Sequence, residues 1–176
     1  MNLKTMNIAE IDFRFSWPDH VPVVAQIDWT LPSTHDVLFS GLLEQDETAY
    51  FYALVSLQQR KWITHYIGKV YAQCSSKRHR AADHVKRLNQ LRELCPDRTF
   101  HLTLGTPKFA DDTFNPDAKT IDAIEGLLIY SNWTIHLTNK RKIDSFSNRQ
   151  EIALENVGFT KHVIKRSAYG VFSSPE

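Results

Sequence analysis

Two cysteines among 176 residues, Cys74 and Cys95, form no C-x-x-C pair and offer neither a zinc site nor a disulfide framework, so free thiols are expected. No apolar run approaches the roughly 20 residues that a bilayer crossing needs, and Met1 to Thr5 leads into alternating polar and apolar residues rather than a continuous apolar h-region. A soluble, cytoplasmic protein without membrane contact is the expectation. Net charge is nearly absent too, at +1, so the overall balance selects no partner. There is no internal repeat and no low-complexity segment. The length suits one domain, or a compact core with an attached extension, and suffices to bury an ordinary hydrophobic core.

What is present is charge segregation. From Met1 to Thr48 eight acidic residues face only Lys4 and Arg14, whereas from Arg60 to Arg92 nine cations face only Asp83. The basic stretch can neutralise phosphates and gain affinity by counterion release. A solvated helix face balanced by the acidic N-terminus is the alternative.

Periodicity and breakers organise the chain. Residues 1–48 form an N-terminal extension, with strands expected near Ile11 to Phe15 and Val21 to Trp29 and a short helix from a Ser33 or Thr34 cap through Leu43. Aromatic and β-branched residues predict a hairpin from Ala49 to Leu57 and Trp62 to Val70, joined by a polar connection. Ala81, Val85, Leu88, Leu91 and Cys95 recur at helical spacing from about Lys77 until Pro96 stops the pattern. A strand over Thr99 to Leu104 follows, then a Gly/Pro/Asp-rich loop to Pro116. Ile121, Ile124, Leu127 and Leu128 mark a second amphipathic helix ending near Asn132. Two last strands, Ile152 to Glu155 and Phe159 to Lys165, are expected to turn at Asn156-Val157-Gly158.

Several residues in this order carry chemistry. Tyr50-Phe51-Tyr52 sits on the first hairpin strand and Tyr66-Ile67-Gly68 on the second. Arg80 and His84, four apart, project from one helix face, with Arg78 a rival to Arg80. Glu125 lies among Ile121, Leu128 and Ile129, where a carboxylate is costly unless a metal, a Lys or Arg, or hydrogen bonds satisfy it. Asn139 follows in Leu137-Thr138-Asn139-Lys140, beside Arg141 and Lys142. Alone, each has an ordinary explanation: packed strand tyrosines, solvated cations, a loop asparagine.

Together, these motifs resemble the GIY-YIG nuclease superfamily over roughly half the chain. The first motif departs from the pattern, with Tyr50 where a glycine stands, and the hairpin is a few residues longer than usual. The resemblance implies an α/β (α+β) fold built on a small three-stranded, mostly antiparallel sheet flanked by helices. A nuclease domain would span 49–145, with strands in 146–176 packed on it. It also implies a catalytic set of Tyr52, Tyr66, Arg80, His84, Glu125 and Asn139, with Glu125 holding Mg²⁺ or Mn²⁺.

The activity implied is hydrolysis of DNA phosphodiester bonds, with RNA the other candidate substrate. Arg80 would neutralise transition-state charge. Tyr52 or Tyr66 would activate water, although a phenol with a pKa of about 10 needs a neighbouring cation to act as a base near neutral pH; His84 would orient a phenol or act as the base itself. Lys69, Lys77, Arg78, Arg87, Lys140 and Arg141 are the candidate nucleic-acid contacts. The competing expectation is a non-catalytic nucleic-acid or protein interaction module on the same fold.

Overall fold

The computed structural model describes residues 21–34, 50–71, 82–111, 113–143 and 150–170. Its elements in chain order are β1 (Val23–Trp29), β2 (Ser33–Thr34), β3 (Tyr50–Gln58), β4 (Lys61–Val70), α1 (Ala82–Leu94), β5 (Phe100–Phe109), α2 (Ala118–Ser131), β6 (Ile152–Gly158) and β7 (Arg166–Tyr169).

The expected small three-stranded sheet flanked by helices is overturned. Among the described residues seven strands share one mixed, strongly curled half-barrel sheet ordered β4-β3-β5-β1-β6-β7, with β2 also on β5, and only two helices accompany it. The antiparallel trio β4-β3-β5 is one part of this sheet. β1 lies antiparallel to β5 and parallel to β6, while β7 closes the far edge antiparallel to β6. A parallel pair so distant in sequence leaves no local turn signal, because its register is set by packing rather than by a hairpin.

Other boundaries move for identifiable reasons. Ser33 and Thr34 pair with Leu102 and His101 as a short strand, where a helix start was expected. β5 runs on through Gly105 and Pro107, which read as breakers. Its pairing with β3 ends at Phe51 and Gly105, and beyond that point β1 is its neighbour, so Pro107 sits on a stretch paired along one side, where a missing N–H is tolerated. The last strand is Arg166–Tyr169 rather than Phe159 to Lys165, and the latter residues connect β6 to it. The expected strand near Ile11 and the first turn of the expected first helix lie outside the described residues.

Each helix covers one sheet face. α2 is capped by Asp117, whose carboxylate accepts from the Thr120 N–H at 2.7 Å and its hydroxyl at 2.8 Å. It buries Ile121, Ile124, Leu127 and Leu128 against β1, Phe51, Ala53, Val55 and Ile67. Each such side chain contributes about 1.5–3 kcal/mol. α1 buries Leu88 and Leu91, on the opposite face, against Tyr52, Leu54, Val70, Leu102 and Leu104.

A bulge in β4 decides which residues reach which face. Leu54 pairs with Tyr66 but Val55 pairs with Thr64, so His65 is the extra residue. Before the bulge Trp62 packs on the α2 side; after it Tyr66 packs on the α1 side. Period-two alternation alone would have put both on one face. The buried His65 ring lies 2.8 Å from the Ser56 hydroxyl, and its pKa falls to about 4 through burial, then the charges of Arg98 and His136.

Candidate functional site

The outer edge of β4 is closed by residues 137–139 rather than by another strand. The Thr138 N–H and hydroxyl both donate to the His65 carbonyl, at 2.7 and 2.8 Å. The Asn139 side chain accepts from the Ile67 N–H at 3.0 Å and donates to the Ile67 carbonyl at 2.8 Å, so one buried amide reproduces a rung of the missing ladder. With its edge covered, β4 becomes the floor of a cleft of about 950 Å³ whose walls are α1, α2 and residues 138–142.

Six of the residues singled out in the sequence line this cleft: Tyr66, Arg87, Glu125, Asn139, Lys140 and Arg141. Tyr52 does not. It is fully buried behind Tyr66, with ring centroids 5.9 Å apart. Gly68 makes that placement possible, because a Cβ there would overlap the Tyr52 phenol. Lys69, on the same strand, donates to Asp122 at 2.6 Å instead of facing solvent alone. Arg80, Lys77 and Arg78 lie outside the described residues, as does the side chain of His84, which falls in the first turn of α1.

Arg87 lies with its guanidinium carbon 3.9 Å from the centre of the Tyr66 ring, a cation–π contact. Its buried Nη1 meets no acceptor among the described residues. The cleft carries five cations, Lys86, Arg87, Lys140, Arg141 and Lys142, against three carboxylates, Glu93, Asp122 and Glu125.

Glu125 is 15 % exposed and answers its desolvation with a lysine, the alternative the sequence left open. The Lys142 ammonium lies 3.2 Å from Glu125 Oε2, 3.0 Å from Asp122 Oδ1 and 2.8 Å from the Asp122 carbonyl. Lys142 itself has φ 65°, a left-handed backbone that a non-glycine residue rarely takes. Burial opposes ionisation of Asp122, but hydrogen bonds from Lys69 and Lys142 outweigh it and hold the carboxyl below its usual range. Asp122 is the residue the site reading missed, and Lys142, expected as a loop cation beside Asn139, is instead the partner of both carboxylates. Asp122 had a signal, standing one turn before Glu125 on the same helix face.

No group of three or more His, Cys, Asp or Glu side chains among the described residues is arranged to hold a metal. Mg²⁺ asks for less, since it binds through one or two carboxylates with waters and substrate phosphate completing the octahedron. Asp122 and Glu125 fit that demand, because both already reach one cation, the Lys142 ammonium. Asp122 and Glu125 are the side chains that would hold such an ion in place of the Lys142 ammonium. No family model, curated protein or solved structure matches this chain significantly. Among the described residues no helix is long and apolar enough to cross a membrane.

Proposed function

We propose that the protein is a divalent-cation-dependent nuclease of GIY-YIG type, hydrolysing DNA phosphodiester bonds in the cleft beside β4. The observation that carries this reading is convergence: Tyr66, Arg87, Glu125 and Asn139, from four separate stretches of chain, line one cleft with Lys140 and Arg141. Glu125 and Asp122 are the residues that would hold the cation, and a divalent ion there would supply Lewis-acid stabilisation of charge on the phosphate. Arg87, fixed over Tyr66 and lining the cleft, takes a phosphate oxygen through its guanidinium. Lys140 and Arg141, both exposed at the rim, neutralise flanking phosphates. The Tyr66 hydroxyl orients the attacking water. Asn139 holds the edge of β4 in place. Arg80 retains the transition-state role that the resemblance gives it.

The second reading, a non-catalytic nucleic-acid-binding module, has a specific observation in its favour: Lys142 already neutralises Glu125 and Asp122. Supercoiled and branched DNA incubated with Mg²⁺ separates the two. Metal-dependent cleavage by wild type, lost by at least about a hundredfold in folded Glu125→Ala and Arg87→Ala proteins, is the expected result. DNA binding without cleavage on any substrate would transfer the assignment to the binding module.

A further inference from the structure

A second cleft, of about 550 Å³, opens where the β3–β4 turn, the end of α2 and the β6–β7 connection meet. We propose that it seats an unpaired single strand of nucleic acid, with a base stacked on Trp133 and the backbone held by Lys61 and Lys161. This rests on the nucleic-acid reading of the first cleft and extends it to the form of the substrate.

Composition is the first argument. None of the described residues lining this cleft is acidic, while Lys61, Lys161, Trp62 and Trp133 all line it. Trp133 is 56 % exposed, unlike Trp29, which is buried and hydrogen-bonded through its indole to Asn156 at 2.7 Å. A large aromatic face left in water beside cations, with no carboxylate to compete, matches the chemistry of a nucleobase and its phosphate.

Preorganisation is the second. Trp62 is held edge-on by Phe159 and His101, at centroid distances of 5.5 and 5.4 Å. The β6–β7 connection is pinned twice: the Thr64 hydroxyl donates to the His162 carbonyl at 2.5 Å, and the Ile164 N–H donates to Asn132 Oδ1 at 2.6 Å. The turn beside the cleft holds Gln59 and Arg60 at φ 48° and 65°, where asparagine and glycine are cheaper. The C-terminal end of α2 repels phosphate, but Asn132 caps it by donating to the Leu128 carbonyl at 2.7 Å. The wall near α2 therefore takes the base, on Trp133, and the two lysines take the backbone.

Continuity is the third. Thr64, lining this cleft, and Tyr66, lining the first, are two residues apart on β4, and residues 133–142 run from one cleft to the other.

The test is binding of a short oligothymidylate, followed by tryptophan fluorescence, beside binding of a blunt duplex of equal length. Trp133→Ala and the double variant Lys61→Glu/Lys161→Glu are compared with wild type after circular dichroism confirms their fold. The expected result is quenching on oligothymidylate binding, affinity about five- to a hundredfold weaker in Trp133→Ala, near recovery in Trp133→Phe, and unchanged duplex binding. Oligothymidylate affinity equal to wild type in Trp133→Ala, with duplex binding intact, would overturn this inference and leave the first cleft's assignment standing. Polyphosphate that quenches and competes as well as the oligonucleotide would reduce the site to an anion surface and also overturn it. Failure of wild type to bind either DNA would remove both assignments.

Discussion

The two clefts lie on either side of one strand and differ in how their charges are settled. At the Tyr66 end, five cations face three carboxylates among the described residues, and Lys142 is already tied to Glu125 and Asp122. At the Trp133 end, lysines and indoles stand without a lining acid among the described residues. The first arrangement suits a site that must be opened by an incoming cation and phosphate; the second suits direct contact. What separates them is the bulge at His65, which sends Trp62 to one face and Tyr66 to the other.

Deleting His65 is the strongest perturbation of the contrast. Val55 and Leu54 would then face Thr64 and Tyr66 as consecutive pairs, so Tyr66 and Ile67 keep their faces. The buried His65–Ser56 contact and the carbonyl that accepts from Thr138 are lost, at a cost of about 3–5 kcal/mol. Thermal unfolding should show a lowered but still cooperative transition; an absent transition would mean that the bulge itself is needed to close the sheet.

Acid should act next. His162 is buried beside Trp29, their ring centroids 4.9 Å apart, and its pKa falls to about 4 through burial, partly opposed by the Phe159 backbone. The unfolded chain therefore binds the proton more readily, and stability is full above about pH 6.5 and lost as pH falls toward 4, by about 3 kcal/mol for this residue. His65 shifts in the same direction and adds to the loss over that window. Denaturant midpoints measured across this range should flatten in His162→Phe; an unchanged pH slope would remove His162 as the cause.

Gly68→Ala tests the packing behind Tyr66. The added methyl meets the Tyr52 phenol, so about 1–3 kcal/mol of stability should go. In a Tyr52→Leu background the same substitution should cost much less, and additive effects in that double-mutant cycle would show that the overlap is relieved elsewhere.

The smallest effect sharpens the electrostatic side. Lys142→Met removes the ammonium from between Asp122 and Glu125, and Mn²⁺ should bind about tenfold more tightly by calorimetry. Oligothymidylate affinity at the other cleft should not move. Weaker Mn²⁺ binding would mean that Lys142 supports the carboxylates rather than competing for them.

Much of the hairpin and of α2 was legible. Tyr50–Gln58 and Lys61–Val70 carry the aromatic and β-branched residues of buried strands, and Ile121, Ile124 and Leu128 repeat at helical spacing. The enclosure of Glu125 was legible for the same reason. Asp122 was passed over because an exposed acid on a helix is ordinary until the lysines facing it are known. Pro107 misled because a proline's meaning in a strand depends on which side has a neighbour, and that neighbour, β1, comes from eighty residues earlier in the chain.

The sequence by itself determined which segments prefer strand or helix and which side chains carry charge or aromatic surface, since both are properties of a residue and its near neighbours. The tertiary structure alone decided that the seven strands among the described residues join one sheet, that Tyr52 is enclosed while Tyr66 reaches the cleft, that Asn139 serves as a rung, and that Lys142 lies between two carboxylates. Each of these is fixed by contacts between distant parts of the chain, whose register and partners exist only once the sheet has closed.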